Sequence, residues 1–434
     1  MARKVFISVL GTGIYKPCIY GDTGITTRFI QEATLLSIGA KEWSSNDTGI
    51  VLLTDFARTT NWVVPDNKRF DKVNNVEITD YCGLKQRIDA LGLPFAVNDI
   101  SIPDGENEEE MWTIFTTLFD QLKDGDELYI DLTHAFRYLP MLVLVLTNYA
   151  KFLLNGVTVK SMTYGNYEAR VDGIAPMVDL LPIAALQDWT YAAADYLKNG
   201  YASRLKELTE TTLTPLLRDE STRSRNLIRI RSFSTSIVQL SEERILCRGA
   251  GIINGKSISQ LIKSANQIEK MTIAPLKPVM DKIIASVNDN GDTVIKRCIN
   301  AARWCYGKQL YQQAITILQE GIVTFFCMRN GIDSENEDKR KLINTAFLIV
   351  NKNKKLASLD KNAADNIRIV ADIIRDDFFF NQELIQLFSS ITDLRNDYNH
   401  SGFRDSPSNA GTMTKNISQY IDDAESIFID NSKE

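Results

Sequence analysis

Only two histidines occur in the 434 residues, and each closes a compact polar motif. His134 ends Asp131-Leu132-Thr133-His134, directly after an apolar run, and His400 ends Arg395-Asn396-Asp397-Tyr398-Asn399-His400 near the close of a helical pattern. Histidine titrates nearest to neutrality of all side chains, so it suits both proton transfer and polar ligand contacts. Arginine with histidine also meets the two needs of RNA cleavage through the 2′-hydroxyl. One group moves a proton, and a guanidinium fork steadies negative charge on a phosphorane-like transition state. Positions five apart on a regular helix point about 140° away from each other, whereas Asn396 and His400, four apart, align. Arg395 must then reach round the helix, or the helix must end near Ser401-Gly402, or two chains must contribute; assembly across a twofold axis is favoured. A surface arginine beside a helix-end histidine, stabilised by the helix dipole, fits the same letters.

The first motif invites different chemistry. Asp131, Thr133 and His134 leave the carboxyl end of a strand, which is where open parallel sheets bind ligands. They also precede a helix start, where free amides and the dipole attract phosphate. Asp131 is suited to accept from a base or ribose hydroxyl, and Thr133, His134 and Arg137 to meet phosphate oxygens. The alternative makes Asp131 and Thr133 turn and cap residues and His134 a core histidine. Gly11-Thr12-Gly13 opens like a dinucleotide-binding turn, but Lys16 stands where the third glycine belongs. A plain tight turn accounts for it equally well, and no nicotinamide site is expected.

The elements that must position these residues change character along the chain. Apolar runs at 5–10, 49–53, 95–102, 127–131, 157–162 and 177–181 read as strands. Helical spacing fills 106–122, with acids in its first turn, and 140–154, with Pro140 in its first turn. Alternating strand and helix means a parallel, doubly wound sheet over residues 1–185. Strands then become rare. The stretch 218–236, with Arg218, Arg223, Arg225, Arg229 and Arg231, reads as a solvated connector in preference to an RNA-contacting strip. Helical patterns follow at 295–328, 339–351, 362–374, 383–399 and 413–429. The expected division is residues 1–185 as an α/β ligand-sensing domain, 186–290 as a helical linker region, and 291–434 as an all-α domain. No internal repeat or low-complexity tract is visible.

Composition excludes several classes. A net charge of -6 gives no general basic signal, so any nucleic-acid contact must be local. The six cysteines are scattered without a CxxC pair, which argues against a disulfide or zinc framework and for a reducing, cytoplasmic setting. Cys298 and Cys305, seven apart on one helical face, read as core. The segment Val5 to Leu10 is too short for a secretory core and runs into Gly-Thr-Gly, so it reads as a buried strand. Leu139 to Leu146 falls short of the roughly 18 residues a membrane span needs.

Taken in order, these pieces resemble the CARF–HEPN ribonucleases of type III CRISPR systems, in particular the group named for a DxTHG motif. The matching segments are Phe6 to Gly13, Leu53-Thr54-Asp55 with Asn61-Trp62, and Asp131 to Pro140. To these add Tyr164-Gly165, Met177 to Leu180, the helix Tyr311 to Glu320, and the hexapeptide Arg395 to His400. Ala135 departs from the family, which has glycine there, and its extra methyl restricts the loop. The resemblance implies a Rossmann-like CARF domain followed by an all-α region with a HEPN domain. It further implies a cyclic oligoadenylate activator, tetra-adenylate most often, held in a cradle shared by two protomers. Gly11, Thr12, Gly13, Asp131, Thr133, His134 and Arg137 would line or shape that cradle. Activation would let a HEPN dimer cut single-stranded RNA without a metal, with Arg395 and His400 catalytic and Asn396 supporting. Two alternatives stay open: a ligand-controlled regulator with an inactive hexapeptide, or a ring nuclease that degrades the activator at Asp131 and His134.

Overall fold

The computed structural model describes residues 2–134, 138–220, 223–268, 276–287, 291–352, 364–378 and 381–430. Ala135 and Arg137 lie outside the described residues. Two compact units divide the chain, residues 1–185 and 186–434.

The first unit is built on a six-stranded sheet. Its strands in chain order are β1 (Lys4–Leu10), β2 (Thr48–Leu53), β3 (Val97–Ser101), β4 (Glu127–Asp131), β5 (Thr158–Gly165) and β6 (Met177–Asp179). They lie side by side in the order β6-β5-β4-β1-β2-β3. All neighbours are parallel except β6, which runs antiparallel to β5. The exception departs from the all-parallel expectation for a physical reason. Eleven residues without a crossover α-helix join β5 to β6, and a parallel return needs a longer crossover. The helices α1 (Ile30–Ser37), α2 (Leu84–Ala90), α3 (Glu108–Phe119) and α4 (Leu139–Leu153) flank the sheet in sequence between strands.

β1 carries the sheet's centre and is buried on both faces. Val5, Ile7 and Val9 join one apolar cluster with Ile114 of α3 and Leu142 of α4. Phe6 and Leu10 join the other with Leu35 of α1 and Leu84 of α2. Ser8 is the polar interruption. At the far edge, Asp99 on β3 is paired with Arg58.

Residues 186–434 are helical where described. A helix α5 (Leu181–Asn199) leads in, and α6 spans Arg225–Ile245. The connector expected at 218–236 is therefore replaced from Arg225 onward by a helix, whose start Ser224 caps by accepting from the Leu227 amide at 3.2 Å. Leu227, Ile230, Phe233 and Ile237 are buried at helical spacing, a signal masked by the arginines between them. The pattern over 295–328 resolves into α7 (Val294–Gly307) and α8 (Tyr311–Arg329), broken where Gln309 takes a positive φ of 61°. After these come α9 (Glu337–Asn351), α10 (Gln382–Asn399) and α11 (Ala410–Glu425). One apolar core joins residues from Ala192 on α5 to Ala424 on α11, Cys298 and Cys305 among them.

α7 and α8 pack closely because Gly321 gives way. A β-carbon there would collide with Cβ of Cys298 and lie 3.0 Å from its Sγ. Gly321→Ala is expected to lower unfolding free energy by about 1–2 kcal/mol in a urea titration, since overpacking outweighs alanine's helix preference. An equal or higher stability would contradict this helix contact.

Candidate ligand and catalytic sites

The strand order reverses between β1 and β4, and open α/β sheets bind ligands at the carboxyl ends of strands at such a point. Gly11-Thr12-Gly13 leaves β1 and Asp131 to His134 leaves β4, so the two motifs meet at that reversal. Ser8 and Asp131 are register partners on these strands. The Ser8 hydroxyl donates to Asp131 Oδ2 at 2.7 Å. Asp131 Oδ1 accepts from the Thr133 amide at 3.1 Å and from its hydroxyl at 2.5 Å. Burial pushes the Asp131 carboxyl above its usual range, and these three donors pull the other way. Thr133 Oγ1 in turn accepts from the Gly165 amide at 2.8 Å, tying the loop to the end of β5. Both side chains thus turn inward and shape the loop.

His134 is different. Its ring stacks on Tyr15, with centroids 3.9 Å apart and planes 25° from parallel. Its Nε2 is shut off from solvent and has no hydrogen-bond partner among the described residues. The residue keeps partial exposure, yet desolvation lowers its pKa to about 4. At neutral pH it therefore offers a neutral imidazole and no charge. The helix α4 begins at Leu139 with Pro140 in its first turn, five residues beyond His134.

The glycine loop is held from behind. Asn61 Nδ2 donates to the carbonyls of Gly11 at 2.7 Å and Gly13 at 2.9 Å. Arg69 Nη2 donates to Thr12 O at 2.5 Å, and Arg69 also bonds Asn61 Oδ1. Tyr81 completes the set by donating to Asn61 Oδ1 at 2.9 Å and accepting from the Tyr15 amide at 3.1 Å. All three loop carbonyls are thereby occupied, while the amides of Thr12 and Gly13 donate to no protein acceptor among the described residues. Gly11 must be glycine: a β-carbon would stand 2.6 Å from Tyr15 Oη and 3.1 Å from His134 O. Tyr15, Arg69 and Tyr81 carried no role from sequence, and Ser8 and Asn61 entered only within matching segments. A lone serine in a buried strand was the one local signal available.

The second site lies on α10. Asn381 caps its start, accepting from the Leu384 amide at 3.0 Å. Leu384, Leu387, Phe388, Ile391 and Leu394 fix its rotation by facing the core. Arg395, partly exposed, and Asn396, exposed, line a cleft of about 450 Å³ shared with α8 and α9. Arg395 Nη2 stands 3.9 Å from Glu320 Oε1, and its Nε is solvent-shielded and unpartnered. The helix ends at Asn399, and His400 caps it with its amide on Asn396 O at 2.9 Å. Ser401 and Gly402 take positive φ, and the Gly402 amide returns to Asp397 O at 3.0 Å. His400 is exposed and does not line the cleft that holds Arg395. One chain therefore brings Arg395 and Asn396 together and leaves His400 facing solvent.

The depressed pKa of His134 has a thermodynamic consequence. Between about pH 6.5 and 4 the unfolded histidine binds a proton and the folded one does not, so this stability is present above that window and lost as pH falls through it. His134→Gln is expected to flatten the loss of unfolding free energy between pH 7 and pH 5, by up to about 2 kcal/mol. Parallel pH profiles for both proteins in urea would contradict the neutral, desolvated imidazole.

Residues 39–168 match the family described as CRISPR system endoribonuclease Csx1, CARF domain. The matched span contains β2 to β4 with Asn61, Arg69 and Asp131 to His134, and it ends just past β5. Over 110 residues the chain is 32% identical to the CRISPR-associated protein MJ1674 of Methanocaldococcus jannaschii. That alignment covers 24% of this chain and 17% of the archaeal protein. The β4 side of the strand reversal, Asp131 to His134, thus lies inside a segment that matches a CARF domain model, and part of the chain is similar to a CRISPR-associated protein.

Proposed function

We propose that this protein is a cyclic oligoadenylate-activated, metal-independent endoribonuclease that cuts single-stranded RNA in type III CRISPR antiviral defence. The carrying observation is the meeting of two loops at the strand reversal, where His134 Nε2 and the amides of Thr12 and Gly13 have no protein partner among the described residues. Amides without acceptors suit phosphate oxygens, and a neutral imidazole suits a base or ribose group. Asp131 and Thr133 hold the loop, and Arg137 is a further candidate for meeting phosphate oxygens. The name of the matching family supports the ribonuclease half.

The activator would be a ring of adenylates, tetra-adenylate being the first to try. A ring with repeated identical units matches a twofold cradle, in which each protomer offers the same loop. An exposed apolar stripe on α4 supports a homodimer: Met141, Val145, Tyr149 and Phe152 follow one another at helical spacing and are 69%, 60%, 44% and 86% exposed. Residues 291–434 form the proposed HEPN domain, and residues 186–290 the helical region between. Pairing of two such domains would bring His400 of one chain to Arg395 of its partner, which answers the separation within a single chain. His400 would then move the proton of the 2′-hydroxyl or leaving oxygen, Arg395 would steady the phosphorane charge, and Asn396 would orient the phosphate.

His400→Ala and Arg395→Ala are each expected to bind activator normally and to lose about 10²–10⁴ in cleavage rate. EDTA should leave the unmutated protein active, and a 2′-deoxy residue at the cut site should block cleavage, since the RNA supplies its own nucleophile. Products should end in a 2′,3′-cyclic phosphate. Activator-stimulated cleavage that survives in both alanine variants would remove the HEPN assignment.

His134→Ala is expected to raise the tetra-adenylate concentration needed for half-maximal cleavage about tenfold while the rate at saturation stays near wild type, as loss of one to two ligand hydrogen bonds predicts. Titrations with tetra- and hexa-adenylate read this directly. If neither ring alters cleavage by the unmutated protein, the sensing role fails. Consumption of the ring without any RNA cleavage would favour a ring nuclease instead.

A further inference from the structure

Gln319 sits on α8, is only 4% exposed and lines the same cleft as Arg395. Its Nε2 donates to Thr392 Oγ1 at 2.8 Å. The Thr392 hydroxyl gives its own proton to Phe388 O, also at 2.8 Å, so toward Gln319 it acts as acceptor. That fixes which end of the amide faces Thr392 and turns Oε1 away from it. Oε1 is closed to solvent and has no hydrogen-bond partner. One helical turn beyond Thr392 on α10, Arg395 Nε is in the same condition: a buried donor with no acceptor. Among the described residues, two that line the cleft from adjoining helices thus carry an orphan acceptor and an orphan donor, and each bears the penalty of an unmade buried bond. The terminal nitrogen of Arg395 leans toward Glu320 at 3.9 Å, beyond hydrogen-bond reach. The other Glu320 oxygen is held by Arg340 at 2.7 Å.

We propose that Gln319 is a positioning residue for Arg395. A rotamer shift of the arginine away from Glu320 seats its Nε–H on Gln319 Oε1 and satisfies both atoms. The four remaining guanidinium protons then turn to the cleft as a fork that fits two oxygens of one phosphate. The geometry as it stands, with both atoms unpaired, is the resting arrangement. This rests on Arg395 being catalytic as proposed above, and it adds the residue that sets the arginine's orientation.

The test uses the full chain with saturating cyclic tetra-adenylate and single-stranded RNA. Gln319→Leu and Gln319→Met remove the acceptor at similar volume, while Gln319→Glu keeps one. The two apolar variants are expected to lose about tenfold or more in kcat, with KM and the activator midpoint within about twofold, because the contact is made only in the productive state. They should melt within a few degrees of the wild type, since removing the orphan acceptor offsets the lost Thr392 hydrogen bond. Gln319→Glu should keep most of the rate. In an Arg395→Lys background, which lacks the Nε–H, Gln319→Leu should cause little additional loss. Wild-type kcat in both apolar variants overturns the proposal, as does an equal fall in all three. If Arg395→Ala is inactive while Gln319→Leu is normal, only this inference fails. If Arg395→Ala cleaves normally, or the unmutated protein never cleaves, the ribonuclease reading falls and takes this inference with it.

Discussion

A carboxylate buried at the centre of a sheet is the constraint on which the α/β unit is organised. Asp131 must find its partners among donors the fold supplies, because a buried polar group left unpaired is costly. Ser8 meets it from the neighbouring strand and Thr133 from its own loop. That pairing sets the register of β1 against β4 at the one place where the strand order reverses. It also directs the chain that follows, since the hydroxyl Asp131 captures is the one that receives the Gly165 amide. The shape of the loop after β4 is therefore a by-product of satisfying one acid.

The glycine loop follows the same logic with carbonyls in place of a carboxylate. Asn61 and Arg69 come from segments after β2, far from Gly11 in sequence, and they occupy every carbonyl of the turn. A loop held by its acceptors keeps its donors available, which is the polarity an anionic ligand needs. The helical unit shows the complementary case. Its cleft contains groups that the described structure leaves unmatched, Gln319 Oε1 and Arg395 Nε, and unmatched groups mark places where a second arrangement is within reach.

Much of the α/β half was legible because its strands are apolar runs closed by Gly, Pro or Asp, and each fell within a few residues of its observed span. The antiparallel β6 was not, because strand direction depends on the length and content of a connection and leaves no trace in the strand itself. The α6 helix was hidden for a different reason. Five arginines between residues 218 and 231 dominate the local composition, while the buried stripe of Leu227, Ile230, Phe233 and Ile237 is spread thinly along the helix. At the proposed ligand site, Asp131, Thr133 and His134 stood out by their motif, but their partners did not. Asn61, Arg69 and Tyr81 act through tertiary contacts across 50 or more residues or through one another, and no spacing rule exposes that. For Arg395 and His400 the helical periodicity correctly warned that five residues separate the two directions. Only the structure locates the helix end at His400.

The sheet's two margins differ in a way that bears on solubility. One is sealed by the short antiparallel β6, which turns the row of unpaired backbone groups into a stub of three residues. The other, β3, is a five-residue edge with Asn98 and Asp99 in its middle and Arg58 folded onto the acid. An incoming strand would have to displace that ion pair and desolvate both charges before it could hydrogen-bond to the edge. A chain whose proposed partner is a second copy of itself gains from such a guard, because it discourages copies from joining through their sheets and leaves association to the helical face.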